Sequence, residues 1–275
     1  MTCRTIALCF TDTASAPTLA RAGAALARHH GAHLLGLHVL PDPVVHASIS
    51  MYVTGEILNQ IRARQRDTAL EIETAFKKAA EAEGATPEWR CLEARLATIG
   101  ERLCESARAA DLVLVMRPER DAAGRPQEEL IRNAGRPVLM IPQGYQPAAL
   151  GASAVIGWSA TREATRAAHD AVLLLDKGAE VVLLSVEKAP DPGEQDYPAN
   201  EMAAMFSRHE MNATVTHRSP GGSRIAEVIE REAFETGASF IATGAFGHSK
   251  AYDFVLGTVT RDLMQRAKRP VLFSK

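Results

Sequence analysis

With 275 residues, a net charge of −2 and 46% hydrophobic against 23% charged residues, the chain has material for two cores of ordinary size. It carries no field that would draw in nucleic acid or an anionic membrane. No apolar run reaches the roughly 18 residues needed to span a bilayer, and Cys3, Cys9, Cys91 and Cys104 lack the CxxC spacing of zinc and redox motifs. Reduced, mostly buried thiols and cytoplasmic residence are therefore expected.

In chain order, a strand is expected at Thr5–Phe10, then an alanine-rich helix that stops at Gly31, then a second strand in GAHLLGLHV (31–39). That last passage returns without a gap as GAEVVLLSV (178–186), again behind an alanine-rich helical pattern. A long helical pattern runs over 55–83, is ended by Gly84 and would measure about 43 Å at ~1.5 Å per residue. Thr98 and Glu101 have capping-box spacing and open a helix whose apolar stripe is Ile99, Leu103 and Ala107. ADLVLVM (110–116) and RPVLMI (136–141) read as buried strands and return as ASFIATG (238–244) and RPVLFS (269–274).

Order is kept between the repeats while spacing drifts. About twenty extra residues follow the second strand of the first repeat, most of them the long helix, and five extra precede the last strand of the second. GYQPAALGAS (144–153) has no periodicity and separates units at 1–146 and 152–275. In the second unit strands are expected at 154–158, 180–186, 213–218, 239–243 and 270–273, with a helical stripe of Ile225, Val228, Ile229 and Ala233. Met202, Met205 and Phe206 suit a core or an interface, and SPGGSR (219–224) a tight turn with Ser223 as N-cap. Alternating strands and helices give the fold class: α/β, two tandem doubly wound units, each with a mostly parallel five-stranded sheet flanked by helices.

Ligands of such sheets sit beyond the carboxyl ends of the strands, where strand order reverses. One segment there carries chemistry: GAFGHSKAYDFVLGTVTRDL (244–263), in which Gly244, Gly247 and Gly257–Thr258 are spaced G-x2-G-x9-G-T. Glycines let backbone N–H groups approach an anion, and Gly257, Thr258 and Val259 stand at a helix N-terminus whose partial positive charge favours phosphate. A plain turn followed by a helix start is the structural alternative. The first unit has RPERDAAGRPQEELIRNAG (117–135) instead, five residues shorter before its last strand, without G-x2-G and with two prolines that lack N–H groups. Arg117, Arg120 and Arg125 read there as a solvated charged loop, and the first unit as a structural partner.

The G-x2-G-x9-G-T loop, the WSATREATRA stretch from Trp158 and the PVLFSK ending resemble the universal stress protein family, in tandem, over nearly the whole chain. The resemblance implies an adenine nucleotide alpha hydrolase-like fold in which loop-bearing members bind ATP, or ADP or AMP, with Mg2+ only through the phosphates. It implies a site in the second unit made of Ser159, Val186, Gly244, Gly247, His248, Ser249, Gly257, Thr258 and Val259, with Val186 near the adenine. Four positions depart from the family pattern: Ser159 stands where an acidic residue is usual, Ala160 where a glycine is, and Phe246 and His248 fall on the frequent histidine and arginine. Charge neutralisation then rests on backbone amides, His248 and Lys250.

No protein metal site is expected, because Gly31 interrupts HHGAH (29–33) and no carboxylate or cysteine accompanies its histidines. No nucleophile has a base and an orienting group beside it, so no catalytic residues are assigned. Three functions remain open: a stress-responsive nucleotide-binding regulator acting on an unknown protein partner, an interaction scaffold without ligand, and an enzyme on an adenylated or phosphorylated substrate. Each unit ends in an RPVL strand that would leave an exposed apolar edge, so the units are expected to pair through these strands as an intramolecular pseudo-dimer. A homodimer through the same edges is the alternative.

Overall fold

The computed structural model describes residues 3–43, 54–118, 125–147, 149–187, 196–246 and 257–275. The first half contains β1 (Thr5–Phe10), α1 (Ala16–His30), β2 (His33–Leu40), α2 (Gly55–Ala82), β3 (Pro87–Glu93), α3 (Ile99–Ala107), β4 (Leu112–Met116), α4 (Pro126–Asn133) and β5 (Val138–Ile141). After a 3-10 turn at Leu150–Ala152 the pattern repeats as β6 (Ser153–Trp158), α5 (Arg162–Ala171), β7 (Glu180–Ser185), α6 (Tyr197–Arg208), β8 (Asn212–His217), α7 (Ile225–Glu235), β9 (Phe240–Gly244), α8 (Thr258–Arg266) and β10 (Val271–Ser274).

All ten strands form one sheet in the order β3-β2-β1-β4-β5-β10-β9-β6-β7-β8. Each half is parallel, and the two halves meet where β5 and β10 pair antiparallel. Leu139 lies opposite Leu272, while Val271 opposes Met140 and Phe273 opposes Val138. Because Leu139 and Leu272 are equivalent in the RPVL repeats, a pseudo-two-fold axis passes between them. The expected intramolecular pseudo-dimer is thus what the chain forms. Equivalent side chains repeat the detail: Arg136 Nε donates to the Ala110 carbonyl and Arg269 Nε to the Ala238 carbonyl, at 2.7 Å for the latter.

Two apolar layers, one on each face of the sheet, run through both units. Ile6, Leu8, Phe10 and Leu34 pack with α1 and α2, and Ile156, Leu183 and Phe240 with α5 and α6, on one face. Cys9, Val113 and Val115 with α3 and α4, and Val155, Leu184 and Ile241 with α7 and α8, fill the other. Alternation along each strand sends its apolar side chains into both layers, which is why the strands read as unbroken apolar runs. At roughly 1.5–3 kcal/mol for each fully buried large side chain, these layers dominate the stability. Helix α2 holds on by its second half, where Phe76 and Trp89 meet Phe10 at centroid distances of 5.6 Å (Phe10–Phe76) and 5.8 Å (Phe10–Trp89). At 28 residues against 12 in α6, α2 accounts for most of the length difference between the repeats.

Local signals hold at several points and fail at others. The capping box forms: Thr98 Oγ1 accepts from Glu101 N–H (3.0 Å) and Glu101 accepts from Thr98 N–H (2.7 Å). Gly31 and Gly178 both take left-handed φ, 60° and 79°, at the equivalent turn before β2 and β7. The N-cap of α7 is Arg224 rather than Ser223, because Glu227 reaches back to the Arg224 N–H (3.2 Å) and sets the first turn one residue later. Ile225 leaves the stripe expected of it, being 42% exposed, and Ala226 takes the buried place beside Val228 and Ile229. Met202 and Phe206 are buried and Met205 is packed against them, so that set belongs to the core.

All four cysteines are free, with Cys3, Cys9 and Cys104 buried and Cys91 exposed on the edge strand β3. Burial pushes the Cys3 thiol up to about 11 and Cys104 to about 12, and raises Cys9 further. An aromatic disulfide reagent near pH 8 is therefore expected to titrate one thiol per folded chain and four after denaturation. Rapid reaction of two or more thiols in the native protein would contradict this packing.

Candidate functional site

In each unit the first and fourth strands are neighbours and their crossovers leave in opposite directions, so strand order reverses between β1 and β4 and between β6 and β9. In the second unit Gly157 pairs with Thr243 and Trp158 with Ser185. Ser159, Val186 and Gly244–Phe246 consequently line up along one carboxyl edge of the sheet. Val186 lies one residue beyond β7, not within it, because both neighbouring strands end level with Ser185, at Trp158 and His217. It is half-buried and packs on the α7/α8 layer, which Val259 also joins.

The two described glycines of the loop have different reasons to be glycine. A Cβ on Gly244 would lie 2.6 Å from the Ala164 backbone N and the Glu163 carbonyl carbon. Bare backbone there lets the first turn of α5 press against the end of β9, so the packing of the chain itself demands this glycine. Gly257 has an ordinary φ of −58°, and among the described residues a Cβ would meet only Thr260 Oγ1, at 3.9 Å. Neither conformation nor packing within those residues requires glycine at 257.

Gly257 is the N-cap of α8 and makes no side-chain cap; Thr258 is the first helical residue and is exposed. Arg261 N–H donates the first bond of the helix to the Gly257 carbonyl (3.0 Å). The N–H groups of Thr258, Val259 and Thr260 precede that ladder and stand at the positive end of the helix. Ser159 is half-buried and its hydroxyl lies 3.2 Å from the hydroxyl of Thr161, which caps α5 by accepting from Ala164 N–H (3.3 Å). Gly247, His248, Ser249 and Lys250 fall outside the described residues.

Two features of this edge, and a cavity away from it, were not legible in the sequence. Phe246 has a left-handed φ of 67°, uncommon for an aromatic residue. Its ring lies 4.8 Å from the Arg132 guanidinium of α4, in the other unit, and 5.4 Å from the Lys275 ammonium. The buried carboxylate Glu163, ion-paired with Arg162 at 2.9 Å, lies in the first turn of α5 beside Gly244. A cavity of about 340 Å³ opens between α7 and α8, lined by Arg224, Glu230, Phe234, Asp262 and Arg266 among others, and none of its lining residues is a strand end.

At the equivalent edge of the first unit the described polar side chains are engaged in other contacts. Asp12 accepts from the N–H and hydroxyl of Ser15 (2.8 and 2.7 Å) and so ties the start of α1. Arg117 donates across the pseudo-two-fold to the Ala267 carbonyl (2.6 Å). Its role is therefore an inter-unit strut, not a solvated loop charge. Helix α4 begins with Pro126, which removes one of the N–H groups that a phosphate would use.

The universal stress protein family model matches residues 2–142 and again 154–275. The chain belongs to the universal stress protein family. A universal stress protein from Archaeoglobus fulgidus is similar over 98% of this chain and 96% of its own, at 14% identity and a TM-score of 0.75. A putative universal stress protein from Pseudomonas aeruginosa is similar over 99% and 93%, at 15% identity and a TM-score of 0.57. A protein of unknown function from the same species covers 99% and 92%, at 13% identity and a TM-score of 0.55. No curated protein matches in sequence. At such identities the solved structures establish that the tandem universal stress fold is shared, over almost the whole of each chain. Among the described residues no helix is long and apolar enough to cross a membrane.

Proposed function

We propose that the second universal stress unit binds an adenine nucleotide, ATP or its di- or monophosphate, and that the protein acts as a regulator rather than an enzyme. The observation that carries this reading is Gly257: a glycine that the described chain does not need, at a helix N-terminus above a strand-order reversal, leaves the bare backbone that a phosphate requires. Phosphate oxygens would take the N–H groups ahead of the α8 ladder, and the base would lie toward Val186, on the α7/α8 layer. Mg2+ would reach the site through the phosphates alone. Without an acidic group at Ser159, the ribose would find the hydroxyls of Ser159 and Thr161.

The regulatory reading is supported by the hydroxyls at the described strand ends of the second unit: Ser159 bonds the Thr161 hydroxyl and Thr243 the Gly244 carbonyl, neither of them a general base. The competing scaffold reading draws on Phe246, which two cations already occupy. Calorimetric titration with ATP separates them. One site per chain is expected, since Asp12, Arg117 and Pro126 are committed elsewhere in the first unit. Two equal sites, or no heat at millimolar nucleotide, would overturn the proposal.

A further inference from the structure

A second cluster at the carboxyl edge of the sheet comes from three different elements. Glu187 lies two residues beyond the end of β7, Asp196 is the N-cap of α6 and His217 ends β8. A ligand atom from each lies within 4.8 Å of the others. His217 Nε2 stands 3.5 Å from Asp196 Oδ2, long for an N–H···O bond, whose usual range is about 2.7–3.2 Å. Two ligands about 2.0–2.1 Å from one zinc ion at a tetrahedral angle stand about 3.4 Å apart, which is close to the separation found.

Two buried polar atoms beside this cluster have no partner among the described residues. His217 Nδ1 is buried and has no partner among the described residues, and neither has Ser185 Oγ, whose residue is 1% exposed. Ser185 and His217 are register partners on β7 and β8, so their side chains share the face covered by α6. Buried polar atoms are rarely left without partners, and two on one face beside three ligand-type groups call for a cause. An ion on Nε2 would fix the proton on Nδ1. Asp196 is already oriented to join them. Its Oδ1 accepts from Ala199 N–H at 3.1 Å and holds the carboxylate, while Oδ2 faces the histidine.

We propose that Glu187, Asp196 and His217 form a binding site for a divalent transition-metal ion of the zinc class, which ties the ends of β7 and β8 to the start of α6. One imidazole and two carboxylates favour zinc and its first-row neighbours over Mg2+ or Ca2+, which take oxygen ligands alone. With three protein ligands the fourth position falls to water. The site uses none of the residues assigned to the nucleotide.

The proposal is tested by titrating the chelator-stripped full-length protein, carrying Cys91→Ser to remove the exposed thiol, with zinc chloride. One equivalent is expected to bind tightest, unaffected by millimolar Mg2+, and to raise the melting temperature. Glu187→Gln, Asp196→Asn and His217→Asn should each weaken that equivalent at least about tenfold; Asp196→Asn keeps an oxygen for the α6 cap, so its loss would not reflect unfolding. Co2+ in place of zinc should show tetrahedral d–d absorption that Glu187→Gln abolishes. Zinc affinity equal in the parent, Glu187→Gln and Asp196→Asn would overturn the proposal, as would loss in His217→Asn alone or no binding by the parent.

Discussion

Gly257→Val is expected to leave the protein folded and to abolish nucleotide binding. A valine at φ −58° is unstrained, and its Cβ meets only Thr260 Oγ1 at 3.9 Å among the described residues, so the melting temperature should move little. The branched side chain would stand where phosphate oxygens approach the N–H groups of Thr258 and Val259. Losing about two hydrogen bonds to a charged phosphate, at roughly 1.5–3 kcal/mol each, weakens binding by about 3 kcal/mol or more, a factor of at least ~100. Gly244→Ala supplies the contrast. Its Cβ would be forced to 2.6 Å from backbone atoms of α5, which cannot swing aside as a flexible side chain would. Destabilisation of about 1–3 kcal/mol is expected, seen as a lower denaturation midpoint. The pair of variants separates a glycine kept for the fold from one kept for a ligand. A Gly257→Val protein that is folded and binds ATP as tightly as its parent would show that phosphate does not sit at α8.

That distinction between the two glycines was beyond the sequence, where both belong to one spacing. What the sequence carried well was whatever depends on local period or on repetition. The apolar runs of β4 and β9 are buried on both faces and read as strands because both faces demand apolar residues. Thr98 and Glu101 met in their box because that contact closes within one turn. Ile225 went astray because a helical stripe has two edges, and which one the sheet covers is settled by packing against β6 and β9, not by spacing. The partners of Phe246 were invisible for a related reason. Arg132 lies 114 residues earlier and reaches the ring only because the two units share one sheet. The Glu187, Asp196 and His217 cluster likewise has no sequence spacing of its own; it exists because β7, β8 and α6 meet at one corner.

Unfolding is expected to be a single event for the whole chain, since the central β5–β10 pairing makes each unit the edge cover of the other. The equivalent leucines at its axis, Leu139 and Leu272, are wholly buried and share one apolar layer. Struts beside them also cross between units: Arg117 to the Ala267 carbonyl, Arg166 to the Gly135 carbonyl (3.1 Å) and His29 to Asp176 (2.8 Å). Leu139→Ala should cost about 2–5 kcal/mol, as large-to-small changes in closed cores do. For a chain of this size that is a fall of roughly 5–15 °C in melting temperature. The chain provides one reporter per unit, because its two tryptophans are Trp89 on β3 and Trp158 on β6. With Trp89→Phe and Trp158→Phe backgrounds, the two fluorescence transitions should coincide, and Leu139→Ala in the first unit should lower the Trp158 transition as much as the Trp89 one. Independent units would behave otherwise: only the Trp89 signal would shift, and small-angle scattering would report an extended two-lobed particle. The pairing also predicts a compact particle of one continuous sheet. Leu272→Ala, the same change on the other side of the axis, should then reproduce the loss in both reporters, because neither leucine belongs to one unit alone.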